Sequence, residues 1–385
     1  MQKSLKKSIS AILCGAAALT ACGCGNTTGT ALTIGDKDIR AGVYIYYQMD
    51  ALSEAATILG EEQPDLDMTV EGFDIRKYTV EGVGVEEWVK NKTIELCKEH
   101  TAVDALFESR GLTLSEEEKE EIDQYVFSAW NEENMYVQYI YGVNILGDYY
   151  EKLGIGEQSF EACYTNSYKK DALFENIYGE GGEKAVSAEE LDAGVIENYA
   201  LILEFEVNPK VETAQTYVDM INGGTSFTDA NAAYEKAISL KEIEDDMNAA
   251  KEKGEEYDGI LPEEVETVAV DEKDLRAVVE RGTESPTKEY VDEVFALAAG
   301  ETKVITVSDT TTAADGTETT EISYYVVQRK DITTDTEAMH AYRETALHEM
   351  KDSEFDDMIK AESEKLAVTE NAAAINLYTI DKLEK

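Results

Sequence analysis

Proline, histidine and cysteine are all scarce in these 385 residues, at 4, 3 and 5 copies. So little proline excludes a collagen-like or proline-rich low-complexity chain. Lysine and arginine are also few, 34 against 81 aspartate plus glutamate, for a formal net charge of −47. Such a chain has little counter-charge for phosphates, which argues against nucleic acid as a partner. Beyond the N-terminus no segment offers the roughly 18 consecutive apolar residues of a membrane span. The three histidines form no His-Glu-x-x-His, so a zincin site is not expected. No cysteine pair has metal spacing outside Cys22 and Cys24. The acidic runs Glu116 to Glu121 and Glu242 to Asp246 lack the order of a calcium loop and read as solvated helix faces. No phosphate loop and no Gly-x-Ser-x-Gly elbow occurs. Neither a metal nor a cofactor is expected.

What is present is an ordinary globular apolar fraction, 43%, enough for real cores in two or three domains. The N-terminus carries Lys3, Lys6 and Lys7, then a short apolar stretch from Ile9 to Leu19. It closes on Leu19-Thr20-Ala21-Cys22, which looks like a bacterial lipobox. Residues 1–21 therefore read as a signal peptide and 22–30 as a flexible linker lipidated on Cys22. That places the chain on the extracytoplasmic face of a bacterial membrane, held by lipid. Cys97 and Cys163 remain in the body, and one disulfide or two buried thiols are both open.

Residues 31–34 read as a strand, and 41–59 as a helix followed by an acidic loop to Gly84. Val89, Leu96, Val103 and Phe107 share one face of a helix that begins near Val85 and stops at Gly111. His100 lies on that face and reads as a core histidine. Ser115 and Glu118 form a capping box before a helix bearing Ile122, Val126, Ala129 and Trp130. Helices continue to about Tyr178, so 31–195 reads as a helical N-terminal lobe. At Ala200 the period changes: Leu201, Leu203, Phe205 and Val207 alternate with Ile202, Glu204 and Glu206, a half-buried strand. Helices over 214–221 and 227–240, a helix over 291–298, and strands at 304–307 and 322–329 complete a module spanning 196–332. Residues 241–285 receive no assignment. From Thr334 to about Leu366 a helix carries Phe355, Met358, Ile359, Glu362 and Leu366 on a stripe that, apart from Glu362, needs cover. Residues 333–385 are expected to pack on the N-terminal lobe. The fold class is α+β, mainly helical.

The 22 tyrosines cluster at Tyr44, Tyr46 and Tyr47, at Tyr136, Tyr139 and Tyr141, and at Tyr149 and Tyr150. Packing at helix rims accounts for such clusters, and so does a peptide-binding cleft, since tyrosine offers broad apolar area with a polar tip.

The order of elements resembles the PrsA/SurA-type foldase lipoproteins, whose enzymatic part is a parvulin prolyl isomerase. Ala31-Leu32-Thr33-Ile34-Gly35-Asp36-Lys37-Asp38-Ile39 is similar to that family's strand-turn-helix entry. Gly111-Leu112-Thr113-Leu114-Ser115 resembles its helix link, Gly223-Gly224-Thr225-Ser226-Phe227 a parvulin helix start, and Tyr290 through Gly300 a parvulin helix with its terminal glycine. The resemblance implies a chaperone-like lobe built from N- and C-terminal segments plus a parvulin-like domain over 196–332. It implies unfolded or newly secreted polypeptides as partners, with the membrane reached through Cys22. The matched site departs from an active parvulin. Leu201 falls on the first histidine, Tyr325 on the second, Tyr290 on the pocket phenylalanine, and no cysteine occurs in 200–330. The implied function is a folding factor or holdase with a degenerate catalytic site, with Tyr290, Phe295 and Tyr325 as peptide-binding candidates. A non-catalytic binding or scaffold lipoprotein and an active isomerase are the alternatives.

Overall fold

The computed structural model describes residues 29–70, 72–312 and 318–383. The proposed signal peptide and Cys22 lie outside the described residues. Along the chain come β1 (Thr30–Ile34), β2 (Lys37–Arg40), α1 (Ala41–Glu62), β3 (Thr79–Val80), β4 (Val83–Gly84), α2 (Val85–Ser109), α3 (Glu116–Asn131), α4 (Met135–Tyr141), α5 (Leu146–Leu153) and α6 (Glu157–Tyr178). Then follow α7 (Ala188–Asn198), β5 (Tyr199–Val207), α8 (Ala214–Asn222), α9 (Phe227–Lys253), α10 (Glu272–Leu275), β6 (Arg276–Glu280), α11 (Lys288–Ala296), β7 (Thr302–Thr312) and β8 (Glu318–Arg329). Last come α12 (Thr336–Glu364), β9 (Val368–Glu370) and α13 (Ala372–Ile375). The class is mixed α+β and mainly helical. Two compact units divide the chain, one of residues 1–185 with 351–385, the other of 186–350.

In the first unit α1 packs on α2 and α6, and α3 on α6. The buried face of α1 is apolar and long, from Val43 and Ile45 to Leu52 and Leu59. Gly42 lets α6 close on α1, because a Cβ there would lie 2.4 Å from Ser159 Oγ. The capping box of Ser115 and Glu118 starts α3 as its spacing predicts, with Glu118 N donating to Ser115 Oγ at 3.1 Å. β1 pairs antiparallel with β2 on one side and β9 on the other, so Leu32 sits opposite Glu370 and Ile34 opposite Val368. The last residues thus return to the first, and Ile375 and Ile380 are buried in the cores that β1, α1 and α2 build. Cys97 and Cys163 are both free and buried in one core cluster. His100 is a core histidine: Tyr47 Oη meets its Nδ1 at 2.8 Å, and burial lowers its pKa.

The second unit is a four-stranded antiparallel sheet in the order β6-β5-β8-β7. β5 is not the half-buried strand its alternation predicts. Ala200 and Ile202 are buried against α11, with Tyr290, Val291 and Val294. Leu203, Phe205 and Val207 are buried on the other face by α8 and α9. Helices on both faces of the sheet remove the solvent side that alternation assumes. The unassigned stretch holds 13 further residues of α9, then α10 and the edge strand β6. Division of the chain also differs from the expected boundaries. Residues 186–195 belong to the second unit, where Val195 packs with Tyr199 and Leu201. α12 belongs to both: Ala338, Met339 and Ala346 join that same cluster, whereas Phe355 meets Phe174 and Tyr178 of the first unit edge-on.

Candidate functional site

The face of the second unit's sheet beneath α11 brings two of the three matched parvulin positions, Tyr290 and Tyr325, together. Thr287 caps α11 by accepting from Tyr290 N at 3.2 Å, which sets the first turn and aims Tyr290 inward. Tyr290 is fully buried, and its hydroxyl donates to the carboxylate of Glu204 on β5. Tyr325 on β8 stands opposite Glu206 of β5 and Ile305 of β7. Its ring meets that of Tyr290 edge-on at 5.6 Å. Burial first, then the Glu204 charge, holds the Tyr290 phenol well above its usual pKa. Burial, then Glu206 and Glu204, raises Tyr325 in the same direction. Both phenols are therefore neutral near pH 7, and this part of the face presents aromatic surface and hydrogen-bond donors rather than a nucleophile.

Phe295 lies further along α11, half-buried in the same core cluster. Two guanidiniums cover its ring, with Cζ of Arg281 at 4.1 Å and of Arg329 at 5.2 Å from the centroid.

Leu201 corrects the sequence reading. It is buried on the opposite side of the sheet, with Val195, Tyr199, Ile332 and Met339. Successive strand residues point to opposite faces, so a match one residue out of step changes sides. The β5 residues on the side of Tyr325 are Ala200, Ile202, Glu204 and Glu206. Leu201 and Tyr325 form no constellation. Glu204, Arg281 and Arg329 were missed. The signal for Glu204 was its even step from Ala200 and Ile202 within a strand that turns out to be buried on both sides.

A second place, in the first unit, gathers rings rather than charges. Tyr141 and Tyr149 lie 4.4 Å apart, Tyr149 and Tyr150 5.6 Å, and Tyr150 and Phe160 5.1 Å. Trp130 joins Phe160 at 5.1 Å, and Tyr125 stacks on Tyr164 at 4.5 Å. Gly147 makes room for this, since a Cβ there would lie 2.8 Å from the Trp130 ring. The helices that hold the network also carry large apolar residues turned to solvent. Phe127 is 58% exposed, Tyr136 67%, Tyr139 81% and Met135 86%. These four side chains are not covered by packing within the unit. Among the described residues no cluster of three or more metal-ligating side chains gathers.

No protein-family model matches the chain, and no curated protein matches it either. Among solved structures, it is similar to the foldase protein PrsA from Lactococcus lactis, solved by crystallography at 3.10 Å. That likeness has a TM-score of 0.33 at 12% identity and covers 91% of this chain and 99% of that one. At such a score it carries no weight for function. No helix among the described residues is long and apolar enough to cross a membrane.

Proposed function

We propose that this chain is an extracytoplasmic folding factor that holds unfolded or newly secreted polypeptides, tethered to the membrane by lipid on Cys22. The observation that supports holding is the exposed aromatic surface of α3 and α4 in the first unit. Tyrosine and phenylalanine give large contact area with few rotatable bonds, so binding a chain of arbitrary sequence costs little side-chain entropy. The net charge of −47 keeps a protein with so much exposed apolar surface soluble. The lipobox order at Leu19 to Cys22 supports the tether.

The test replaces Phe127, Met135, Tyr136 and Tyr139 together by serine in the full chain. All four are exposed, so the fold should survive. Suppression of aggregation of a chemically unfolded client is expected to fall several-fold, with tryptophan fluorescence unchanged. A variant that holds the client as well as the parent removes the surface from the reading. A parent that slows no client's aggregation removes the holdase reading and leaves a scaffold for one fixed partner. Mass spectrometry of the cell-derived N-terminus should find diacylglyceryl-modified Cys22, and an unmodified start elsewhere would refute the tether.

A further inference from the structure

In the second unit four arginines are treated in two ways. Arg276 and Arg343 are neutralised, with Asp335 and Asp192 each at 2.6 Å. Arg281 and Arg329 make no ion pair among the described residues, in a chain with more than twice as many acids as bases. Main-chain carbonyls hold them instead. Arg281 Nε donates to Glu197 O at 2.9 Å, and its backbone N–H to Asn198 O at 2.7 Å. Arg329 Nη1 reaches Val294 O only at 3.4 Å, while its own backbone is pinned between Gly300 and Glu301. Both guanidiniums lie over the one Phe295 ring. Burial and the neighbouring Arg281 charge lower the Arg329 pKa, the response of a cation that lacks a counter-ion. The remaining N–H groups of the pair are thus positioned, charged and unmatched. Holding two like charges side by side, the Arg329 one half-buried, costs free energy that a bound anion would offset.

We infer that Arg281, Arg329 and Phe295 form a binding site for a single carboxylate carried by a polypeptide, at its C-terminus or on an acidic side chain. The planar guanidinium fork matches a carboxylate in two hydrogen bonds. Stacking on Phe295 fixes each fork in place and leaves its edge free. A lone carboxylate fits better than a polyanion. Screening over roughly 8 Å at physiological salt hides most of the molecule's negative charge from a small group but not from a long one. The inference rests on the reading that the protein takes polypeptides and names the chemistry that one of its units recognises.

The test titrates the full chain with acetyl-Ala-Ala-Ala bearing a free C-terminal carboxylate, and with the same peptide as its amide. Binding is followed by NMR on the arginine Nε–H signals. The acid should bind about tenfold or more tightly than the amide, the scale of two charge-assisted hydrogen bonds. Arg281→Gln, at an exposed position that spares the fold, should abolish the difference. Arg329→Lys, which keeps the charge and loses the fork, should reduce it only in part. Equal affinity for acid and amide would overturn the assignment, as would a difference that survives Arg281→Gln. Displacement of the acid by inorganic phosphate at lower concentration would make this a phosphate site instead. Client holding is read separately, on the serine variant of α3 and α4. Loss of the acid–amide difference with holding intact removes only the carboxylate site, and the converse result removes only the holdase reading.

Discussion

Asp50 shows how a single carboxyl reports on the aromatic network around it. It keeps contact with water, yet the surrounding protein, and then the charge of Glu54 one turn along, push its pKa up to about 6 from an ordinary 3.8. Tyr46, Tyr47 and Tyr150 all feel its charge, and each phenol is held above its usual range, chiefly by burial. A raised carboxyl pKa means that the native state binds more protons than the unfolded chain between about pH 4 and 6. The charged form therefore weakens folding above pH 6, and that penalty fades as pH falls through 6. Asp50→Asn should raise the stability of the first unit at pH 7 to 8, with the gain shrinking toward pH 4. Denaturant midpoints across that range check it, and a gain that stays constant with pH would show that the Asp50 charge is not responsible. His100 runs the other way, kept neutral by burial and bonded to Tyr47, which is how a core histidine avoids an unpaired charge.

At the scale of elements, α12 is the clearest case of a helix whose stripe was legible and whose partners were not. Phe355 and Ile359 are buried, as the apolar spacing requires. Phe355 fills a slot between Phe174 and Tyr178 of α6, with the Phe174 ring edge-on at 5.3 Å. Phe355→Ala should cost about 3–5 kcal/mol, the range for emptying a buried aromatic site. Both tryptophans, Trp88 and Trp130, lie in the first unit, so their fluorescence follows that unit's unfolding alone. The midpoint in that signal should drop sharply. A change below about 1 kcal/mol would mean that the slot closes over the lost ring or that Phe355 does not fill it. The first half of the helix, through Ala338, Met339 and Ala346, serves a different core, with Val195, Tyr199 and Leu201. No period in the sequence marks that change of partner, because a helix stripe looks the same whichever surface covers it.

For the molecule as a whole, the arrangement of polar groups bears on catalysis. Accelerating prolyl isomerisation needs polar groups arranged in advance around a twisting amide. Tyr290 has its hydroxyl committed to Glu204, and Leu201 stands across the sheet with nothing to donate or accept. The full chain is expected to show no turnover above background on prolyl tetrapeptides in a protease-coupled assay. Turnover that Tyr290→Phe or Tyr325→Phe removes would overturn this and restore the active-isomerase alternative.

Local chemistry was enough for the helix start at Ser115, the long stripes of α2 and α3, and the strand at 199–207. Capping and periodicity are short-range properties, carried by residues three and four apart or by strict alternation. Tertiary structure alone decided three things. β9 is only Val368–Glu370, too short and polar to stand out, and becomes a strand because β1 offers it an edge. β6 lies in an acidic stretch and becomes a strand by pairing with β5. The side of the sheet on which Leu201 and Glu204 fall depends on which helices cover each face, and a resemblance of short motifs is blind to a one-residue shift that sends a side chain from one face to the other.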